Sequence, residues 1–527
     1  MRKMLKGLAM GMAAAMLLGG CSTDKSPVDS GQTTKTTTTT TASLVDSTTG
    51  SRTGTSTTGT KGTGGPTKGT RASYSWVTAA DPEEHPTKTK ASTKARTTII
   101  VDWFPNLGEI TVAGLDDCYF SLNASNNEWN RQIRNQLSAI EKSLNCKFKL
   151  TKYQTADDLS SNCIKAHNAK TKFADIMVAP MYLQKKLVAG KAIQNLNAIK
   201  GLDLTKSYWD QNARRDMQMY GKNFAAFTTL DGPSVNPNVI YFNKVLANQI
   251  GSSDAELYKM VRDGKWTFST MQNLSSKARR DIDGKPGYGD NDQYGFGGVN
   301  LRGGVSYSIF KAQGGYFTKI DKGNVVFALD MASNIKALRV MQSWLLKDNS
   351  VYNPDKKETD WSKTLKAFTE SRLLFMGWSA SAAENLTTMK NDWGILPYPA
   401  AEKGDPYIST VDWTAPCFSV PSQVKRDDLT RAATVLDAIA RQFDKIKDNK
   451  RAYNKSRIYR DSQTQEMLDI AGRGASIDFC QYGDLGEGGL TCIHYLFNSI
   501  SNDPATVVKS RKEKAISSLN AFLKTVR

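Results

Sequence analysis

Histidine is almost missing from this chain. Three occur in 527 residues, at positions 85, 167 and 494, and no H-E-x-x-H pair can be assembled from them, which excludes the usual helical zinc site. Cysteine is sparse too, with seven residues and no C-x-x-C spacing, so a zinc ribbon and a thioredoxin-type redox pair are excluded. There is no lysine-bearing phosphate loop and no G-x-G-x-x-G set between a strand and a helix. Gly377-Trp378-Ser379-Ala380-Ser381 opens like a nucleophile elbow, but Ser381 stands where the closing glycine belongs. Carboxylate pairs for glycoside hydrolysis are matched in space rather than in sequence, and nothing here singles out a pair. The expectation is a protein that is not an enzyme and needs no cofactor.

Long apolar runs are lacking as well. The exception, Gly7 to Leu18, follows Arg2, Lys3 and Lys6 and is too short to cross a bilayer comfortably. It ends Leu18-Gly19-Gly20-Cys21, which resembles a lipoprotein signal box: small residues admit the peptidase, and the Cys21 thiol takes the lipid. Residues 1–20 therefore read as a signal peptide, with Cys21 lipidated and the protein anchored on the outer face of a bacterial cell membrane. From Ser22 to Arg96 the chain is Thr, Ser, Gly and Lys with almost no large apolar residue. Such a segment cannot bury enough surface to offset the entropy of ordering. Residues 21–96 are expected to be a disordered tether, open to O-glycosylation, and residues 97–527 the folded body.

Acidic residues are the minority, 51 against 70 basic, for a net charge of +19. The signal segment holds three basic residues and the tether ten basic against six acidic, which leaves +12 for residues 97–527. That balance suits solubility, and also a surface near anionic polymers or an acidic ligand. With export, and with no Lys/Arg–aromatic module, nucleic acid is not an expected partner. Cys118, Cys146, Cys163, Cys417, Cys480 and Cys492 remain after Cys21. An even number in an exported chain permits disulfides in a pairing the sequence leaves open, and free buried thiols are the other reading.

Within the body, Thr97–Trp103 reads as a buried strand, and Asn126–Leu144 as a helix with Trp129, Ile133, Leu137, Ile140 and Leu144 on one face. Cys146–Leu150 reads as strand, Asp157–Ala169 as helix, Ala174–Val178 as strand, and Tyr182–Ala192 as helix. Further on, Leu373–Met376 is an uncharged apolar run ended by Gly377, followed by a small-residue helix and a strand at Trp393–Leu396. Strand, helix, strand of this kind predicts a parallel crossover and a doubly wound sheet, with ligands beyond the carboxyl ends of its strands. Leu429–Phe443, Asp461–Ile470 and Pro504–Val526 read as helices, the last capped by Asn502-Asp503-Pro504. No internal repeat is seen.

The stretch from Phe368 to Thr410 resembles the F-x-x-G…(Y/W)-G-(I/V)-x-P-x-P region of the extracellular solute-binding proteins of carbohydrate ABC importers, the maltose-binding-protein-like group (family 1). It departs from the pattern where Glu370-Ser371-Arg372 stands in place of the first glycine. In the same order fall Gly190-Lys191-Ala192-Ile193-Gln194-Asn195-Leu196, Ile240-Tyr241-Phe242-Asn243-Lys244-Val245 with one inserted Phe, Trp266–Met271, Asp292–Phe296 and Ala312–Phe317. The resemblance covers residues 97–527 and rests on the ordered set. It implies an α/β, two-lobed periplasmic-binding-protein-like fold of type II. Each lobe is then a doubly wound sheet flanked by helices, with a hinge where the chain crosses near 229–240 and 408–420.

Sugars offer C–H faces to aromatic rings and hydroxyls to polar groups. The resemblance places Trp103, Tyr182, Arg302, Ser306, Trp378, Ser379, Asp412 and Trp413 in loops lining the interlobe cleft, with Trp378 stacking on the sugar. Relatives often carry an EF-hand-like loop where this chain has Asp281 to Asp292. Here Lys285 and Gly289 replace two ligand positions, so Asp281, Asp283 and Asp292 are expected to form a degenerate loop without calcium. The function expected is capture of a carbohydrate, most simply an oligosaccharide, by a lipid-anchored monomer that delivers it to ABC permease subunits. A surface glycan-binding adhesin or sensor, or a glycoside hydrolase, is the alternative.

Overall fold

A computed structural model describes residues 106–122, 128–354, 361–497 and 499–527. The expected strand at Thr97–Trp103, Trp103 as a site residue, the tether and Cys21 lie outside them. The first strand among the described residues is β1, Gly108–Leu115, which the sequence reading did not contain. Ile110, Val112 and Ala113 are buried in it. Beside it run β2, Cys146–Tyr153, and β3, Ile176–Pro180, both parallel to β1. The helices Glu128–Ser143 and Ala156–Asn168 make the crossovers. The first of these buries Ile133, Leu137 and Ile140, the face its apolar spacing predicts.

The second sheet has the order β5-β8-β4-β9. Its strands are β4 (Asn238–Asn243), β5 (Tyr294–Gly298), β8 (Leu373–Ser379) and β9 (Trp393–Leu396). β5 is parallel to β8, but β4 runs antiparallel to both β8 and β9. The expected crossover from β8 to β9 is therefore a real one that straddles β4. Its connection is a short 3-10 helix, Ala380–Leu386, rather than an α-helix. A small hairpin, β6 (Thr318–Asp321) with β7 (Asn324–Phe327), stands apart. The first sheet is completed by β10, Pro416–Ser419, antiparallel to β3.

The chain thus passes between the sheets after β3 and again before β10. A third passage was not anticipated. Helix Arg426–Tyr453, longer than the Leu429–Phe443 expected, buries Val435, Leu436, Ile439 and Phe443 in the core of the first sheet. Helix Thr464–Arg473 then places Leu468 and Ala471 in the core with Tyr241 and Trp393 of the second. Helix Pro504–Val526 starts at the residue read from the sequence, with the Asp503 carboxylate accepting from Thr506 N at 3.0 Å.

All six described cysteines are free and buried. Burial pushes the thiols of Cys163, Cys417 and Cys492 up to about 12, so the reactive thiolate is suppressed. Thiol titration with an aromatic disulfide reagent at pH 7.5 is expected to leave these six unreacted in the native chain and to count all six after guanidinium unfolding. Rapid native reaction of any of them contradicts this packing.

Candidate functional site

The carboxyl ends of β3 and β8 place the aromatic residues singled out in the sequence. Tyr182 follows β3 directly, and its main-chain N–H donates to the Trp413 carbonyl at 3.1 Å. Met181 N–H does the same to Ala415 at 3.0 Å. The turn after β3 and the segment entering β10 are thereby tied together, and both rings are partly buried against one core cluster. Burial raises the Tyr182 hydroxyl above the usual tyrosine range, helped by the charges of Asp157 and Asp117. Asp117, just beyond β1, is a polar neighbour the sequence reading missed, because β1 itself was missed.

Trp378 lies within β8 rather than after it, paired with Val239 of β4 and packed on the second lobe's core. Ser379 holds its carbonyl under the Tyr241 hydroxyl at 2.8 Å and its own hydroxyl 3.2 Å from Ser381. Asp412 is exposed and accepts from Thr414 N at 2.9 Å and Thr414 Oγ1 at 2.8 Å, an Asx turn that shapes the loop before β10. Ser306 is fully buried and donates to Gly303 O at 3.0 Å, which supports the turn after β5. The side chain of Arg302 lies outside the described residues. The predicted set thus falls into two groups, Tyr182 with Trp413 and Asp412, and Trp378 with Ser379.

The space between the lobes is partly taken by the segment before the last helix, which sequence reading did not place there. Tyr307 donates to Gln481 Oε1 at 3.1 Å, and Gln481 Nε2 donates to Val411 O at 3.1 Å. Lys311 and Asp478 form a buried ion pair at 3.3 Å. From the first lobe, Asp216 accepts from Ile477 N at 2.9 Å, and its carbonyl accepts from the Tyr482 hydroxyl at 2.6 Å. The lobes are cross-linked through these contacts as well as through the passages.

Asp281, Asp283 and Asp292 do come together, with their ligand atoms within 4.8 Å of one another. The loop satisfies them itself. Asp292 accepts from the main-chain N–H of Ile282, Asp283 and Gly289, led by Gly289, which holds its carboxyl below the usual range. Asp283 accepts from Lys285 N at 3.0 Å and faces Lys285 Nζ at 3.4 Å, so a lysine charge sits at the group.

No protein-family model matches the chain, and no curated protein matches it in sequence. Solved structures do match. The GacH receptor of Streptomyces glaucescens, described unliganded and with acarbose, superimposes with a TM-score of 0.51 at 14% identity, over 78% of this chain and 98% of that one. The maltose/maltodextrin-binding domain MalE of Bdellovibrio bacteriovorus, bound to maltotriose, gives 0.52 at 13%, over 78% and 100%. UgpB of Mycobacterium tuberculosis, in complex with glycerophosphocholine, gives 0.51 at 16%, over 78% and 98%. At such identities the likeness defines the fold. It is the two-lobed α/β fold of the periplasmic-binding-protein type, as the sequence resemblance implied.

Near these elements Lys450 pairs with Asp231 at 3.3 Å, and Tyr119 donates to the same carboxylate at 3.3 Å. Asp231 holds the Lys450 ammonium above the usual lysine range against the pull of burial. A raised lysine contributes stability that is complete below its unfolded value and is lost as pH rises through the folded one. Asp231→Asn is therefore expected to lower the urea unfolding free energy by about 1–2 kcal/mol at pH 8, with the gap to wild type narrowing as the pH approaches 11. A gap that persists unchanged at pH 11 contradicts the pairing.

Proposed function

We propose that this chain is an extracellular solute-binding lipoprotein that captures a carbohydrate between its lobes and delivers it to an ABC importer. The observation that carries the reading is the pair of partly buried rings, Tyr182 and Trp413, joined through the main chain at the carboxyl end of β3. Ligands of open α/β sheets sit at such strand ends. Trp378 provides a third ring at the end of β8, and Asp117 and Asp412 are carboxylates available to sugar hydroxyls. Among the structures sharing this fold are proteins solved with acarbose and with maltotriose, which supports a saccharide over a peptide or a metal. Lipidation at Cys21 and a Thr-rich tether fit a protein working at the outer membrane face beside its permease. In this reading it is a monomer without enzymatic activity.

A second reading has one observation in its favour. The Asp216 contacts to Ile477 and Tyr482 tie the first lobe to the segment between the lobes, which suits a surface glycan-binding adhesin or sensor that does not swing open.

Thermal unfolding in the presence of maltotriose, other neutral oligosaccharides and acidic saccharides tests the main reading. A ligand at 100 times its Kd stabilises by about 2.7 kcal/mol, and Trp378→Ala or Tyr182→Ala is expected to abolish that gain. No stabilisation by any saccharide would move the assignment to a non-sugar solute or to an adhesin.

A further inference from the structure

Helix Pro504–Val526 is fastened to the second lobe near its start. Its cap residue Asp503 pairs with Arg339 at 2.8 Å, and Lys512 pairs with Asp330 at 2.7 Å. Helix Ala332–Lys347, which carries Arg339, sets Trp344 against Phe296 of β5 with ring centroids 4.5 Å apart. The last helix also packs on helix Gln184–Ala189, which follows Tyr182 in the first lobe. At its far end Lys222 Nζ donates to Val526 O at 2.5 Å and to Arg527 O at 3.1 Å. Arg527 reaches both lobes at once. Its guanidinium donates to the Tyr220 hydroxyl at 2.9 Å and to Asn324 Oδ1, in β7, at 2.8 Å. It also lies 4.9 Å from the centre of the Tyr220 ring.

The turn that presents these groups is strained. Met219 and Lys222 exchange main-chain hydrogen bonds at 2.9 Å around Tyr220-Gly221, whose φ angles are +50° and +76°. A two-residue turn with both φ positive favours Asn-Gly, and a bulky residue in the left-handed region is an outlier. Tyrosine stands there with its hydroxyl and ring engaged by Arg527. Strain of this kind persists where the surrounding contacts over-determine it.

The same stretch of the first lobe carries the ties nearer the passages. Asn212 Nδ2 donates to Gly472 O at 2.9 Å, and Asp216 meets Ile477 and Tyr482. Phe479, beside them, meets Phe522 of the last helix with ring centroids 5.7 Å apart. Asn212, Asp216, Tyr220 and Lys222 thus fasten one edge of the first lobe to the chain that follows the third passage.

We propose that this seam is a conformational device that holds the angle between the lobes fixed whether or not a ligand is bound. The strand-end site then fills by entry into a set cleft rather than by hinge closure. That consequence rests on the function proposed above, whereas the fixed angle does not. A ligand shifts a conformational equilibrium only by its differential affinity for the states, so with one lobe angle populated its binding leaves the angle unchanged.

Pulsed electron spin resonance on the full chain tests this. Spin labels are placed through Lys149→Cys in β2 and Lys366→Cys in helix Trp361–Thr369, both exposed and one in each lobe, with Cys21→Ser removing the competing thiol. The ligand-free chain is expected to give one narrow distance, and maltotriose, or any saccharide that raises the unfolding temperature, to leave it in place. Each seam residue removed should raise the ratio of open to fixed lobes about fivefold. Lys222→Met, Arg527→Met and Tyr482→Phe combined should therefore raise it roughly a hundredfold and bring in a second, longer distance. Tyr220→Asn suits the turn and gives up Arg527, so it should raise the open share without lowering the thermal midpoint. A broad or two-peaked distance with the seam intact overturns the proposal, as does a single narrow one in the triple variant. So does a Tyr220→Asn chain that loses thermal stability with its lobe distance unchanged, or a saccharide that stabilises the chain and moves the distance. If no saccharide binds, the sugar reading fails while the ligand-free distances still decide the seam.

Discussion

Main chain packs directly on main chain where the polypeptide passes between the lobes, and the rest of the architecture depends on it. A buried peptide group must find a partner, and here the passages supply one another. Asn238 N donates to Thr410 O at 2.8 Å, joining the first passage to the second. Ser409 N donates to Gly474 O at 3.0 Å, and Ser476 N returns the contact to Ser409 O at 2.9 Å, joining the second to the segment after the third. The approach is so close that side chains are excluded. A Cβ on Gly474 would stand 1.8 Å from Tyr407 O, and one on Gly472 2.0 Å from Ser234 O. The glycines are there because the backbones touch.

That constraint explains how the functional side chains are distributed. With the centre of the molecule given to backbone, polar and aromatic groups are displaced to either side of the passages. On one side Tyr182 and Trp413 are held by main-chain bonds at the end of β3, and Tyr307, Gln481 and Lys311–Asp478 fill the ground between lobes. On the other, Asp231, Lys450 and the third passage shape a polar recess. The buried hydroxyls of Ser308 and Thr410 meet at the passages, with Asn238 Nδ2 donating to Thr410 at 2.8 Å. They hold the passages in register and leave few groups there for a ligand.

Much of the fold was legible because the first crossovers are regular. Glu128–Ser143 shows its buried stripe in the spacing of Ile133, Leu137 and Ile140, and β3 and β8 are short uncharged runs with no polar face to interrupt them. β1 escaped notice for the opposite reason. It begins Gly108-Glu109, exposed and polar, and Thr111 breaks its apolar run while bonding to Asp175 from the neighbouring strand's approach. Nothing local marks Thr111 as buried-sheet chemistry; a partner 64 residues away does. The third passage was hidden because the helix runs on to Tyr453, past the expected end at Phe443, through Lys450 and Arg451, whose partners Asp231 and Asp469 lie in other elements.

The candidate site was legible only in outline, and one substitution shows why. Ser371 stands where the resembled pattern has glycine, and it takes the glycine's conformation, φ +58°. For a residue with a Cβ, left-handed backbone costs roughly 1–2 kcal/mol. Its hydroxyl accepts from Asn243 at 2.9 Å and from Asn391 at 2.6 Å, contacts a glycine cannot make and which offset that strain. Gly377 likewise keeps its place because a Cβ would meet the Tyr398 hydroxyl at 2.7 Å. Positions in a motif thus survive or change according to neighbours far away in the chain. Ser306 fits a loop pattern yet turns inward, and Asp117 fits no pattern yet its charge reaches the Tyr182 hydroxyl. A motif read along the chain identifies which strand end holds a ring. Which polar groups surround that ring is decided by the packing of passages that the motif does not contain.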